Sequence, residues 1–245
     1  VIQVEMIKDS VSESSVRLCT MRLTYPRIIH SHVLLHRDRV RTVKSQGVEA
    51  GLFVPLKFKA TDGGDDISEP VKACKIWSDA YKAVLECCNQ LQSIGTSERL
   101  TRVLLQPFQY VTVLMTATEW QHFISIIKNI EEYHAVLLAN TINAVLHESI
   151  PELIQPGHWH LPFISKDELN LGLDYVKKLS ASRCVQFGRD LKSYSTKSYS
   201  DLVTRKDWVH LEHVCTPSLT PASYCGPLKG WTTFRSQIPL EYWRS

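Results

Sequence analysis

Val16-Arg-Leu-Cys-Thr-Met-Arg-Leu-Thr-Tyr-Pro26-Arg-Ile-Ile-His-Ser-His-Val-Leu-Leu-His36 is the stretch on which the fold class turns. Apolar residues alternate roughly with polar ones, at Val16, Leu18, Met21 and Leu23 and again at Ile28, Ile29, Val33 and Leu34. That spacing predicts strand structure over 16–36, broken around Pro26. Residues 37–68 read as irregular and end in the turn-rich Thr61-Asp-Gly-Gly-Asp-Asp66, a solvated excursion. Helices follow. Between Val71 and Leu91 the apolar positions Ala73, Ile76, Trp77, Ala80, Val84, Cys87, Cys88 and Leu91 have the spacing of one buried face. Pro70 suits the first turn of that helix and Gly95 its exit.

Farther on, Thr116-Ala-Thr-Glu119 has the capping-box pattern and predicts a helix that buries Trp120, Phe123, Ile124 and Ile127. A third helix is expected over Glu131–Leu146, and a loop over the proline-rich 150–163. Ser165-Lys-Asp-Glu168 is a second capping box, opening a helix through about Leu179. The Ser/Tyr/Lys stretch at 193–200 reads as an exposed connection before a short helix near 200–206. No repeat or low-complexity tract appears. The chain is therefore α/β in the α+β sense, with helices concentrated in its middle.

Composition excludes several classes. The 245 residues carry 28 basic and 25 acidic side chains, with 44% hydrophobic and 22% charged residues. Collagen-like, disordered and disulfide-scaffold chains do not have that balance. A formal charge of +3 is too small to argue for polymeric nucleic acid or a membrane surface. Seven cysteines, an odd number with Cys87 and Cys88 adjacent in a helix, fit small core hydrophobes in a reducing cytoplasm. The early Glu5, Lys8 and Asp9 leave no run resembling a signal peptide. The uncharged Val103–Thr118 run falls short of the ~20 apolar residues of a membrane span. A soluble cytoplasmic protein is expected.

Ten histidines invite a metal, yet His30-x-His32, His158-Trp-His160 and His210-x-x-His213 lack the further ligands that would close a tetrahedral site, so no metal is assigned. No GxGxxG, GxxxxGK[ST] or GxSxG occurs. The basic run His36-Arg-Asp-Arg-Val-Arg-Thr-Val-Lys-Ser45 stands out. One reading is a solvated charged turn. The other is an anion site for a phosphorylated small molecule, because arginine binds phosphate in a bidentate way.

Six stretches together resemble the flavin-dependent (alternative) thymidylate synthases, in particular the phage-type branch. They are Arg22-Leu-Thr-Tyr-Pro-Arg27 leading to His36-Arg37; Leu105–Thr112; Thr116–Trp120; Gly157–Phe163; Glu212–Pro217; and Gly230–Arg235. The pieces that match the family's early segments, Ser182-Arg-Cys184 and Leu211-Glu-His213, lie near the C-terminus here, so the chain resembles a circularly permuted version. The resemblance implies one domain over 1–245 with a helical part at about 70–180. It also implies a homotetramer with shared sites, bound FAD, and one-carbon transfer from methylenetetrahydrofolate to carbon 5 of dUMP, with NADPH supplying electrons.

Carried over residue by residue, the family's Arg-His-Arg signature is degenerate. His36 and Arg37 match and Ser45 matches its second serine, whereas Leu35, Val40 and Gly47 replace an arginine, the first serine and the last arginine. Val43 stands where a glutamate is usual. Two further arginines are Val103 and Ile127 here, with Arg102 and Lys128 one residue displaced; His122 replaces an asparagine, and Leu211 a phenylalanine. The resemblance thus assigns His36, Arg37, His122, Glu212 and His213 to the flavin. Ser45 falls to catalysis and substrate, with Arg102, Lys128, Arg39 and Arg41 as replacement anion binders. Three functions remain open: an enzyme acting on a pyrimidine deoxynucleotide (dUMP, or dCMP, by methylation or hydroxymethylation), a catalytically degenerate subunit assembled with an active paralogue, and an unrelated function on the same scaffold.

Overall fold

A computed structural model describes residues 1–34, 40–45, 52–58, 67–130, 132–185, 187, 209–218 and 228–238, without the side chains of 40–45 and 209–210. A mixed five-stranded sheet runs in the order β3-β4-β2-β1-β5. Its strands are β1 (Gln3–Ser12), β2 (Arg17–Pro26), β3 (Val40–Ser45), β4 (Tyr110–Ala117) and β5 (Glu152–Ile154). The β1–β2, β2–β4 and β3–β4 pairs are antiparallel, and β5 lies parallel to β1. The hairpin between β1 and β2 turns through Ser15, whose φ is 62° and whose N–H donates to the Ser12 carbonyl at 2.9 Å.

Each face of the sheet is covered, and the covering explains the sequence. On one face Cys19, Met21, Leu23 and Tyr25 of β2 and Val111, Val113 and Met115 of β4 form the main core with two helices. These are α4 (Trp120–Lys128) and α5 (Tyr133–Glu148). Trp120, Phe123, Ile124 and Ile127 form the buried stripe of α4, as their spacing predicts, and each fully buried side chain of that size stabilises by ~1.5–3 kcal/mol. The opposite face carries Leu18, Thr20, Leu114 and Thr116. It packs against α6 (Leu173–Val185), residues 159–163, the 3-10 turn Val209–His213 and the hairpin of β6 (Cys215–Pro217) and β7 (Trp231–Thr233). Because β4 is covered on both faces, seven of its eight residues are buried and its sequence shows no alternation.

Several expectations need correction. The strand ends at Pro26: Arg27–Ile29 is a 3-10 turn and His30–Leu34 the short helix α1, because Ile29 and Val33 bury one i,i+4 face. Residues 37–68 are not wholly irregular, since β3 lies inside them. Thr116 is a strand residue and not a helix cap; α4 starts after Glu119 with no side-chain capping bond. At the second box Glu168 does reach back to the Ser165 N–H at 2.9 Å, but it opens a 3-10 turn, Asp167–Leu171. Gly172, at φ 93°, separates that turn from α6. The expected connection at 193–200 and helix near 200–206 fall outside the described residues.

The helix foreseen over 71–91 is α2 (Pro70–Ser93), with Pro70 at its start. Its predicted buried face is largely open, only Cys88 being buried. Trp77 and Tyr81 pack on Phe108, and the Trp77 indole N–H donates to the Phe53 carbonyl at 2.8 Å. Its other end is held by α3 (Glu98–Leu104), through Gln92 and Cys88 on Thr101. No helix among the described residues is long and apolar enough to cross a membrane.

Candidate functional site

The 3-10 turn Val209–His213 packs against β3, which brings Glu212 and His213 to the strand that carries the degenerate signature. The turn is anchored on both sides of Glu212. Leu211 and Val214 are buried with Trp159, Val176 and Phe234, and the Phe234 N–H donates to the Val214 carbonyl at 2.7 Å. Glu212 itself is half-buried. Burial raises its carboxyl above the ordinary glutamate value, and the charge of Arg235 opposes that shift.

His213 is fully buried and belongs to a chain of polar side chains that crosses the inner face of the sheet. Its Nδ1 lies 2.7 Å from Thr116 Oγ1, which lies 2.6 Å from Thr20 Oγ1. Thr20 Oγ1 is 2.8 Å from His160 Nε2, and His160 Nδ1 is 2.8 Å from Ser10 Oγ. Ser10, Thr20, Thr116, His160 and His213 all have 0% exposure. Burial, then the nearby charge of Lys8, pushes the His160 imidazole down to about 3, so it is neutral at physiological pH. Its backbone is fixed by a bridge to Cys215, with His160 N–H donating to the Cys215 carbonyl at 2.7 Å. None of Ser10, Thr20, Thr116 and His160 is assigned to a site by the sequence. The signal that was available is the polar residues inside apolar strands at Ser10, Thr20 and Thr116.

The other assigned residues are scattered. His36, Arg37 and Arg39 lie outside the described residues. Arg41 and Ser45 sit in β3 opposite Met115 and Val111; their side chains are likewise outside the description. Arg102, on α3, is exposed and paired with Glu98 at 2.5 Å. His122 is exposed in the first turn of α4 and lines a cleft of about 390 Å³ with Arg17, Glu119 and Trp120. Lys128 is exposed in the last turn of the same helix, where a cation complements the helix carbonyls. Since α4 packs on the Cys19–Tyr25 face, the sheet stands between its core-facing side and His213.

The largest cavity among those described, about 530 Å³, holds none of the assigned residues. It lies along β5, at the sheet edge opposite β3, and its lining is mostly aliphatic around Trp159, with Lys8 spent on Glu152. Gln155, His158 and Lys166 also line it. Among the described residues no group of three or more His, Cys, Asp or Glu side chains gathers at one place.

No family model matches the chain, and no curated protein matches it. Among solved structures, the UMP/dUMP methylase PolB from Streptomyces cacaoi bound with 5-Br dUMP is similar, with a TM-score of 0.50 and 15% identity over 60% of this chain and 90% of that one. The same enzyme bound with 5-Br UMP gives 0.48 and 14%, over 60% and 89%. At such identity the likeness concerns the fold, a mixed α+β sheet with helices like that of a UMP methylase.

Proposed function

We propose that the chain is a flavin-dependent thymidylate synthase-like protein in a circularly permuted arrangement, acting at carbon 5 of a pyrimidine deoxynucleotide, dUMP or dCMP. The observation that carries this reading is the meeting of β3 with the Glu212–His213 turn. These segments are remote in sequence, and the resemblance assigns both to one site. The fold likeness to a nucleotide methylase agrees with it. The chemistry of the residues suits FAD. Glu212 offers an acceptor to a hydroxyl or ring N–H, and Arg37 of the adjoining basic run would hold the pyrophosphate by charge-assisted hydrogen bonds. When bound, the flavin supplies the redox chemistry, with methylenetetrahydrofolate and NADPH as co-substrates.

A second reading is a catalytically weak subunit of a homomeric or mixed tetramer, and it has its own support. Val43 offers no acceptor to a base and Gly47 no cation to a phosphate. Arg102, the nearest substitute for one lost arginine, is already bonded to Glu98.

One experiment separates the two. The purified chain is loaded with FAD, its absorbance recorded, and dUMP titrated in by calorimetry. Flavin bands that fade in Arg37→Ala, with weak dUMP binding by the isolated chain, are expected. Unchanged FAD affinity in Arg37→Ala removes the flavin assignment. Micromolar dUMP binding that disappears in Ser45→Ala means that the signature still works and removes the weak-subunit reading.

A further inference from the structure

Three elements meet around the cavity of about 530 Å³ beside β5: the strand itself, the turn of residues 155–158, and the Asp167–Leu171 turn with the start of α6. Its floor is apolar, because Ile154, Trp159, Leu161 and Val176 are buried there. Leu153, Leu169 and Leu173 line it too and are exposed, so aliphatic surface continues up the walls to solvent. A volume of this size suits a small molecule, and exposed aliphatic side chains grouped at one cavity favour a ligand that covers them.

The rim is polar, and its charges do not cancel. Lys8 and Glu152 neutralise each other at 2.5 Å. The Lys166 ammonium has no acidic or hydrogen-bonding partner among the described residues, and neither do the Gln155 amide and the His158 ring. Glu168, two residues on, is held by Arg183. The backbone under these groups is fixed. His158 N–H donates to the Gln155 carbonyl at 3.0 Å, Thr216 Oγ1 donates to the His158 carbonyl at 2.7 Å, and Leu169 N–H donates to the Lys166 carbonyl at 3.3 Å. Among the described residues no arginine lines the cavity, so the bidentate grip that suits phosphate is missing. One uncompensated lysine beside a neutral amide matches a single carboxylate. We propose that this cavity binds a small amphipathic carboxylate, its alkyl body against Trp159, Leu161 and Val176 and its charge at Lys166. The cavity lies at the sheet edge opposite β3 and is read without nucleotide or flavin, so the inference does not rest on the proposed function.

The test is calorimetric titration of the full chain with hexanoate and octanoate, below micelle-forming concentrations, and with octanol as the uncharged control. One saturable site is expected, tightening about fourfold per added methylene. Octanoate should bind more tightly than octanol. Lys166→Glu should weaken octanoate roughly tenfold, one attraction lost and one repulsion gained, and leave octanol unchanged. Leu173→Trp, at an exposed wall position, should fill the cavity and weaken both ligands. Octanol binding as tightly as octanoate to the wild type overturns the proposal, as does octanoate affinity that ignores Lys166→Glu. No saturable binding, together with a change of assembly state in Leu169→Asp by light scattering, would mean that a second copy covers the cavity, and that also overturns it. Should Leu173→Trp fail to fold, Lys166→Glu decides, since Lys166 is exposed.

Discussion

Arg183 is the most tightly committed charge among the described residues of α6. It is 8% exposed, donates to both carboxylate oxygens of Glu168 at 2.7 and 2.8 Å, and also donates to the Phe163 carbonyl at 2.7 Å. Its Nε is buried without a hydrogen-bond partner, so the carboxylate is its main compensation. Glu168→Gln should destabilise the chain by about 3 kcal/mol, the low end for a broken buried pair, because Glu168 keeps 26% of its side-chain surface in water. Urea unfolding checks this, and a loss below ~1 kcal/mol would mean that the pair is only a surface contact. The pH sign follows from the same geometry. The Arg183 bonds hold the Glu168 carboxyl down to about 2, so the pair's stabilisation is complete above about pH 4.5 and is lost as pH falls toward 2. Asp9 is held down in the same direction. Burial alone would raise it, but the bonds from Arg17, Ser149 and Cys19 outweigh that. Acid sensitivity is therefore expected to fall in part in Glu168→Gln.

At the scale of elements, the sequence disclosed what one face of one element can disclose. The i, i+3, i+4, i+7 stripe Trp120, Phe123, Ile124, Ile127 made α4 legible, and α2 was legible as a helix for the same reason. What α2 packs against was not legible. Ile76 is 62% exposed and Val71 83%, and Leu100 of α3 is 63% exposed. Likewise β4 was hidden because burial on both faces erases alternation, and Thr116 read as a cap because Thr-x-x-Glu is equally the end of a strand. The polar chain was illegible for a deeper reason: sheet register, not sequence distance, brings Ser10, Thr20, Thr116, His160 and His213 together. The open α2–α3 face is suited to a subunit contact, because exposed aliphatic residues on neighbouring helices resemble half of a core. Light scattering of the wild-type chain is expected to give a tetramer, homomeric or mixed. Ile76→Asp and Leu100→Asp should each shift it to smaller species with the helix content unchanged. A wild-type chain that stays monomeric at micromolar concentration counts directly against this contact.

For the whole molecule, the sheet is the dividing wall. His122 and Lys128 ride on α4, over the Cys19–Tyr25 face, whereas Glu212 and His213 sit with Thr20 and Thr116 on the other. If His122, Glu212 and His213 serve one flavin, as the resemblance implies, a tetramer with shared sites supplies them more simply from two copies than one copy does. That makes a prediction about mixtures. His122→Ala and Glu212→Ala should each retain FAD on the order of 10–100-fold less well, the loss of one charge-assisted or polar contact. When the two variants are co-expressed and assemble together, some sites receive an intact His122 from one copy and an intact Glu212 from another, and a fraction of the flavin absorbance should return. Separately purified variants mixed without exchange should show no recovery. If co-assembled variants stay colourless while wild type is yellow, both residues act within one copy, and α4 must then reach the β3 edge around the end of the sheet. Wild-type FAD retention in either single variant removes that residue from the site altogether.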